Sequence, residues 1–125
     1  MKTVTRDVDP ENALDLLERV PRACLSYASD QGPIVQPVGL LWRDGRCWVS
    51  FPENAEHPVL PGQEVVLLVD EGIYYFELRA VYIRGQAKAA EVPPDVPAGR
   101  TWFELIALKT VAWDYGMLRE VKDAD

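Results

Sequence analysis

The side chains that could carry out acid–base, nucleophilic or metal chemistry are few in this chain and widely spaced. His57 is the single histidine, and no serine lies in a nucleophile-elbow context. Hydrolysis through a covalent intermediate needs a nucleophile, a base and a group that orients the base, so the sequence does not indicate a hydrolase. The simplest interpretation of His57 is an imidazole in a solvated loop.

Motifs for metals and nucleotides are also missing from the sequence. Cys24 and Cys47 form no CxxC pair, and no His, Cys or carboxylate cluster has the spacing of a metal site. The glycines form neither a GxGxxG nor a P-loop pattern. Both cysteines fall in predicted strands, so we expect buried thiols in a reducing compartment rather than a disulfide. Cytoplasm is the expected location.

Two further groups of residues have a packing interpretation beside a binding one. Glu11, Asp15 and Glu18 follow helical spacing, which indicates a solvated helix face rather than an acid–base pair. Some aromatic residues could form a stacking surface for a ligand, although core or interface packing is the simpler expectation: Tyr74, Tyr75, Phe76 and Tyr82. The tryptophans are likewise expected to pack.

Length and charge limit the classes of partner. The chain has 125 residues and a formal charge of −7, which predicts one domain spanning residues 1–125. The negative charge argues against nucleic acid or an anionic membrane as a main partner, because both select clustered Lys and Arg. No apolar run approaches the roughly 20 residues that span a bilayer, and the N-terminus lacks the apolar core of a secretory signal. The net charge does not exclude a small anionic ligand, because such a ligand needs only a local pocket.

The elements that would position a site are organised around residues 32–51. Two apolar arms flank Asp44-Gly45, which tolerates the positive φ of a tight turn, so this segment is predicted to be a β-hairpin. Both faces of the first arm are mostly apolar. We therefore expect it to be covered on both sides, as in a barrel wall whose outer face meets a second subunit or a ligand. Pro37 cannot donate to a ladder and predicts a bulge or a sheet edge.

A short helix is predicted before the hairpin. Asp9-Pro10-Glu11 combines an N-cap side chain, a proline whose missing N–H is harmless there, and an acid in the first turn. Apolar residues then repeat at helical spacing until Pro21 ends the run. The helix is expected to lay its apolar stripe on a sheet.

Apolar runs and proline-rich segments predict the remaining strands and connections. Strands are predicted over residues 22–28, 64–70, 73–88 and 102–115. The predicted strand over residues 73–88 is too long for a small barrel at about 3.3 Å per residue, so it should bend or break near residues 77–79. Residues 52–63 and 91–100 are predicted connections, and the charged tail after Met117 is predicted to be frayed or loosely docked. The predicted fold is mainly β: a six-stranded, antiparallel β-barrel with a short N-terminal helix.

Several loose patterns follow one another in a specific order and spacing. After the helix at 13–20 they are ACLSY at 23–27, GPIVQPV at 32–38, LWRDGRCWVS at 41–50, VVLLVD at 65–70, IRGQA at 83–87 and VAWDYG at 111–116. In this order they resemble the FMN-binding split-barrel superfamily, that of pyridoxamine 5′-phosphate oxidase and its short flavin- or deazaflavin-using relatives. The resemblance covers residues 12–116 and implies that the predicted barrel is a split barrel.

The resemblance implies a homodimer with a flavin, FMN in the first place, in a groove between the subunits. It implies an oxidoreductase in which the cofactor supplies the hydride chemistry and the protein binds and orients it. The residues that would contact the flavin lie on the second and third strands, in the loop that follows and, from the partner subunit, on the last strand: Val35, Gln36, Pro37, Val38, Trp48, Val49, Ser50, His57 and Trp113. It identifies no catalytic residue.

In such proteins the loop after the third strand holds the flavin phosphate, typically with a Ser or Thr and an Arg/Lys pair. Here Phe51, Ala55 and Glu56-His57 occupy those positions, and Glu53 adds a carboxylate. Three other cations could bind the phosphate in place of the missing pair, although the sequence does not fix where they lie: Arg43, Arg84 and Lys88.

The sequence leaves three functions open: an FMN-dependent oxidoreductase, a cofactor-free dimeric barrel that acts as a binding or interaction module, and a binder of a less phosphorylated aromatic ligand.

Overall fold

Strands account for most of the molecule. A computed structural model describes residues 3–117 and 119–121. Its helix α1 spans Leu14–Arg19 and continues a 3₁₀ turn over Pro10–Ala13. Its strands, in chain order, are β1 (Thr3–Thr5), β2 (Asp7–Val8), β3 (Arg22–Ser29), β4 (Gly32–Arg43), β5 (Arg46–Pro52), β6 (Glu64–Glu71), β7 (Arg79–Lys88), β8 (Arg100–Asp114) and β9 (Arg119–Val121).

The six long strands close into an antiparallel barrel. They lie in the order β8-β5-β4-β3-β6-β7, and β7 pairs with β8 to complete the circle. The short strand β2 adds to the outside of β8, while β1 pairs with β9. The predicted fold class, a six-stranded antiparallel barrel with a short N-terminal helix, is confirmed. Alternate residues of each strand fill the interior, as the period of two requires.

The barrel is split because two of its strands change partner along their length. Residues 32–39 of β4 pair with β3, whereas residues 39–43 pair with β5. In the same way β8 pairs with β5 over residues 100–105 and with β7 over residues 104–114. Pro37 lies in the half of β4 that pairs only with β3, so its predicted place at a sheet edge is confirmed. The proline leaves no ladder bond unmade there.

The hairpin between β4 and β5 turns at the predicted dipeptide. Asp44 and Gly45 both have positive φ, 54° and 73°, as a two-residue hairpin turn demands. The inward face of the first arm is covered by the chain itself, and the outward face is covered only in part, near Gly39 and Leu41. The outward side chain of Val35 is 68% exposed, so the expected cover on that side, a second subunit or a ligand, stays a prediction.

The helix begins and ends where the sequence predicts. Asp9 Oδ1 accepts a hydrogen bond from the Glu11 backbone N–H at 3.2 Å, and the helix ends before Pro21. Leu16 and Leu17 are buried against the barrel. Asp15, predicted to be solvated, instead accepts hydrogen bonds from two guanidinium groups because the helix packs beside the ends of β6 and β7: Arg79 Nη2 at 2.8 Å and Arg19 Nη2 at 2.9 Å.

The break predicted near residues 77–79 is confirmed, but the residues before it form no strand. Tyr75–Glu77 form a 3₁₀ turn, and β7 begins at Arg79. Three aromatic side chains expected to pack in the core or at an interface are exposed on this connection in the single chain: Tyr74 (59%), Tyr75 (75%) and Phe76 (54%). Core packing is therefore wrong for them, and interface packing stays a prediction. They are exposed because the chain leaves the barrel at Gly72 and returns only at Arg79. Tyr82, on β7, is half-buried against Trp113, with ring centroids 5.3 Å apart.

Two smaller expectations also need correction. Cys47 is buried as predicted, but Cys24 is exposed, because β3 turns Ala23 and Leu25 inward and the residue between them outward. Of the two alternatives for the tail after Met117, frayed or loosely docked, the first is wrong over residues 119–121, where β9 pairs with β1 in antiparallel register. Residues 118 and 122–125 lie outside the described residues.

Candidate functional site

The residues expected around the flavin ring fall on two different faces of β4 and β5. Val35 and Pro37 are exposed on the outer face, whereas Val38 and Val49 belong to the barrel core with relative exposures of 4% and 0%. The alternation of a strand forces this separation. The side chains of Val38 and Val49 therefore cannot touch a ligand on the outer face. Gln36 also points inward, where its Nε2 donates to the Tyr27 hydroxyl at 2.7 Å.

Trp48 and Ser50 point outward from β5 but are buried by a covering segment. We call residues 91–99 the strap. The Trp48 indole Nε1 donates to the Glu91 carbonyl at 3.3 Å, and the Arg46 guanidinium lies 4.5 Å above the Trp48 ring. A bidentate ion pair between Arg43 and Asp95, at 3.0 and 3.1 Å, ties the strap to the hairpin. Of these two residues, Ser50 lines a concavity beneath the strap.

His57 lies beside a cleft formed where the loop after β5 crosses the end of β3. This His57 cleft has a volume of about 340 Å³ and is lined by Tyr27, Ala28, Ser29, Asp30, Glu56, His57, Pro58, Leu60 and Gln63. The Tyr27 hydroxyl donates to the His57 carbonyl oxygen, and Gln63 Nε2 donates to the Ala28 carbonyl at 2.5 Å. Burial is the main cause that raises the pKa of Tyr27, opposed by its hydrogen bond from Gln36. These bonds fix the loop, and with it the shape of the cleft.

The charges of the His57 cleft do not fit a phosphate. Its lining carries the carboxylates of Asp30 and Glu56, and none of its lining residues is a Lys or Arg. At an effective dielectric of about 20, each carboxylate at several ångströms repels an anion by on the order of 1 kcal/mol or more. The loop predicted to hold the FMN phosphate therefore lacks the cations this task requires. We derive no chemical step through FMN at this cleft.

The cations considered as substitutes lie elsewhere. Arg43 is paired with Asp95, Arg84 Nε lies 3.3 Å from Glu64 Oε1, and Lys88 is opposite Glu104 in the β7–β8 register. None of the three lines the His57 cleft. Their pairing partners are all carboxylates of the same sheet or of the strap, so they neutralise the surface locally.

A second concavity lies beneath the strap, on the outer face of β4, β5 and β8. This Arg100 hollow has a volume of about 260 Å³, and its lining includes Gly39, Leu41, Arg43, Ser50, Asp95, Val96, Pro97, Arg100 and Trp102. Arg100 Nε donates to Ser50 Oγ at 2.7 Å and Nη2 to the Ser50 carbonyl at 2.9 Å. A Cβ on Gly39 would lie only 2.5 Å from Ser50 Oγ, so the glycine makes room for this arrangement.

Sequence reasoning missed Arg100 and found Ser50 for a different reason. Arg100 ends a proline-rich segment interpreted as an exposed connection, and its contact with Ser50 joins residues 50 positions apart. One signal was available: Gly39 interrupts an otherwise apolar strand, and a glycine inside a strand often marks the close approach of another group.

Trp113 lines neither concavity of the single chain. It pairs with Asp7 and Ala80, and the Arg6 guanidinium lies 4.5 Å above its ring. Nine residues of β8 separate it from Glu104, the partner of Trp48, which corresponds to on the order of 30 Å at about 3.3 Å per residue. That Trp113 contacts the flavin from a partner subunit stays a prediction.

The buried thiol of Cys47 is a poor nucleophile, and the described residues form no metal centre. Burial, with a smaller contribution from Glu104, raises the pKa of the Cys47 thiol to about 12, so the thiol stays protonated. Across residues 3–117 and 119–121 no group of three or more His, Cys, Asp or Glu could hold a metal ion. In that same part of the chain no helix has the length and apolar character to cross a membrane.

Comparison with known proteins identifies the fold. No protein-family model and no curated protein matches the chain. Solved structures do match. The FAD-binding protein from Mycobacterium smegmatis has a TM-score of 0.66 at 14% identity and covers 96% of this chain and 100% of its own. A proposed pyridoxamine 5′-phosphate oxidase from Corynebacterium glutamicum has a TM-score of 0.64 at 13% identity, with coverages of 88% and 96%.

A third match widens the range of ligands found on this fold. The heme storage protein HutZ from Vibrio cholerae has a TM-score of 0.62 at 13% identity and covers 83% of this chain and 93% of its own. Identities this low establish the fold and leave the ligand undetermined. The chain thus has the split-barrel fold of the FAD-binding and pyridoxamine 5′-phosphate oxidase-like proteins, which it resembles in sequence pattern.

Proposed function

We propose that this protein binds a flavin at a groove that a homodimer completes, and that it uses the flavin as an oxidoreductase. The observation that carries the proposal is the exposed apolar stripe on the outer face of β4. Val35 is 68% exposed and Pro37 lies beside it on the same face. A strand that leaves such residues in water offers a flat apolar surface to a planar ring or to a second copy of the chain.

The surroundings of this stripe support the proposal. Gly39 and the Arg100 hollow follow Pro37 on the same face of β4, and about 13 Å separates Val35 from Gly39 at about 3.3 Å per residue. An apolar platform next to a cationic recess suits a molecule with an aromatic ring and an anionic tail. The M. smegmatis structure with this fold is described as FAD-binding.

The chain's own residues would bind and orient the flavin, which supplies hydride transfer when bound. Val35 and Pro37 would contact the ring. The strap and the buried Trp48 would exclude water from one end of the groove, since Trp48 is only 3% exposed.

Titration of purified protein tests the proposal directly. FMN, FAD and riboflavin are added while flavin fluorescence and absorbance are followed, and the oligomeric state is measured by sedimentation. We expect quenching at micromolar flavin concentrations and a dimer. Val35→Asp should weaken binding at least tenfold, a change of about 1.4 kcal/mol. Val4→Asp is the matched control, because Val4 is 60% exposed at a distant strand and its substitution should leave affinity unchanged.

A second function is favoured by the charges of the His57 cleft. Two carboxylates and no Lys or Arg line it, as expected for a cofactor-free dimeric barrel that acts as a binding or interaction module. A dimer that binds none of the three flavins would contradict the first proposal and support this one. Binding of riboflavin with the same affinity as FMN would instead support a binder of less phosphorylated aromatic ligands.

A further inference from the structure

We propose that the Arg100 hollow is a binding site for an oxyanion, the phosphate or carboxylate group of a small molecule, held by the Arg100 guanidinium and the Trp102 indole N–H. The same hollow supports the proposed flavin site, but the inference is argued from the hollow itself, and its test uses anions without a flavin. Three observations carry the inference: a cation without a carboxylate partner, a buried donor without an acceptor, and a hollow lined by the two residues that carry them.

Arg100 is a half-buried cation that lacks a carboxylate partner. Among the described Lys and Arg residues, Arg79 and Arg100 are the two that are half-buried. Arg79 contacts Asp15, Glu71 and Asp114. Arg100 donates only to the hydroxyl and carbonyl of Ser50, and no carboxylate of the described residues lies within ion-pair distance of it. Cations removed from water are ordinarily paired, so an anion is the missing partner.

The second property is the indole nitrogen of Trp102. Trp102 pairs with Ser50 in the β5–β8 register and lines the hollow. Its Nε1 is buried without a hydrogen-bond partner, and it is the one such side-chain atom in the part of the chain that the structure describes. By contrast, the buried Trp48 donates to a strap carbonyl. Because an indole N–H only donates and leaving it unsatisfied is costly, the missing group must be an acceptor.

The third property is the space and charge of the hollow. About 260 Å³ is several times the roughly 30 Å³ that one water occupies, so an oxyanion fits together with part of the molecule that carries it. Its lining includes Arg43, Arg100 and a single carboxylate, Asp95. The local charge is therefore positive in a chain whose formal charge is −7. An oxyanion supplies what both donors lack, since it carries negative charge and accepts hydrogen bonds without donating any.

The strap gives the ligand a route into the hollow. Two contacts tie it to the hairpin: the hydrogen bond from Trp48 to the Glu91 carbonyl at one end, and the Arg43–Asp95 pair beside the hollow, whose side chains are 43% and 63% exposed. Exposed ion pairs contribute little stability, so this pair can break and reform. When it opens, Arg43 is released from Asp95 and can turn to the bound anion as a second guanidinium.

Calorimetric titration of the purified protein with inorganic phosphate, and separately with acetate, tests the site, and thermal melting is followed in parallel. We expect one of the two anions to bind with a Kd below about 5 mM and to raise the melting temperature. Phosphate binding alone indicates a phosphoester ligand, and comparable acetate binding indicates a carboxylate.

Substitutions separate this site from general charge effects. Arg100→Met should weaken anion binding at least tenfold, and Trp102→Phe, which removes only the N–H donor, at least threefold. Arg84→Met is the matched control because Arg84 is exposed and 50% accessible at a different strand. If Arg100→Met does not fold, Trp102→Phe and Arg100→Lys decide the question. A Kd above about 5 mM for both anions, or an equal loss in Arg84→Met, would overturn the proposal.

Discussion

The His57 cleft adjoins β3 and the Arg100 hollow adjoins β5, and the two concavities carry opposite charge. The cleft presents Asp30 and Glu56 with His57 as its only basic group. The hollow presents Arg43 and Arg100 with Asp95 as its only acid. The hollow includes Gly39, where β4 changes partner, whereas the cleft is lined by the end of β3 and the loop after β5. The two recesses thus come from different parts of the fold, and local side chains decide which of them suits an anion.

This difference shows that two recesses on one barrel can have similar size and opposite charge. A resemblance to split-barrel proteins places the phosphate at the loop after β5, and that loop is present with its path fixed by Tyr27. The cations are not there. A binding function inferred from the fold must therefore be checked against charge at each recess, because shape and charge are set by different residues.

Reversing the charge of the His57 cleft should have the largest effect. Glu56→Arg combined with His57→Lys replaces repulsion by attraction, and charges at this distance contribute on the order of 1 kcal/mol each. We expect FMN affinity to rise roughly 10- to 100-fold, measured by fluorescence titration. Glu18→Arg, on the exposed face of α1, is the control and should change little. Unchanged FMN affinity in the double variant would show that the cleft is not a phosphate site even when cationic.

Filling the floor of the Arg100 hollow should destabilise the protein. In Gly39→Ala the new Cβ would lie 2.5 Å from Ser50 Oγ, so Ser50 and Arg100 must shift. Overpacking of this kind costs about 1–3 kcal/mol, which urea unfolding measures. Adding Ser50→Ala removes the clashing oxygen and should recover part of the loss. If the two substitutions are simply additive, the contact between Gly39 and Ser50 is not the cause.

Loosening the His57 loop should affect one recess and not the other. Tyr27→Phe removes the hydroxyl that donates to His57 and accepts from Gln36. The loss of two partly buried hydrogen bonds should lower the free energy of unfolding by about 1–2 kcal/mol and speed amide exchange around residues 56–58. Tyr75→Phe, at a 75% exposed tyrosine, is the control. Anion affinity of the Arg100 hollow should not change, and a loss there would mean that the two recesses are coupled.

Arg79 is paired with carboxylates and Arg100 is not, so acid should weaken the interactions of Arg79 by protonating Asp15. The hydrogen bond from Arg79 is the main cause that lowers the pKa of Asp15, and Arg19 adds to it. A lowered folded-state pKa means that Asp15 stabilises the protein above its unfolded pKa, near 3.9, and that this contribution is lost as the pH falls through the folded-state value.

Urea unfolding between neutral pH and pH 3 measures this contribution in wild type and in Asp15→Asn. The wild type should be more stable by about 1 kcal/mol at neutral pH, a small value because Asp15 is 44% exposed. The difference should shrink once the pH falls below about 4. A difference that does not depend on pH would show that the ion pair is not its source.

Local features of the fold were predictable because few residues determine them. Asp9 caps its helix and Asp44-Gly45 turn the hairpin through bonds and dihedrals within a few positions. Period-two alternation already separates Val35 from Val38 in the sequence, although the resemblance placed both at the flavin. The exposure of Cys24 was not predictable, since it depends on whether another segment covers the outer face of β3.

The Arg100 hollow was not predictable either, because it depends on segments that are far apart in the sequence. It needs Gly39, Ser50 and Arg100 from three strands, brought together only when the barrel closes. Nothing near Arg100 in the sequence distinguishes it from the exposed residues of the preceding proline-rich segment. The aromatic run at 74–76 shows the converse case, in which composition indicates packing but the connection carries the side chains away from the barrel.

Because one cysteine is exposed and the other is buried, the native protein can be labelled at a single thiol. Cys24 is exposed and lies opposite Pro37 in the β3–β4 register, whereas Cys47 is enclosed in the barrel. A maleimide dye or nitroxide should therefore modify the native molecule once, beside the apolar stripe. The emission of the dye would report occupancy of that face. The spin–spin distance between two nitroxide-labelled copies would give the geometry of their association without any engineered residue.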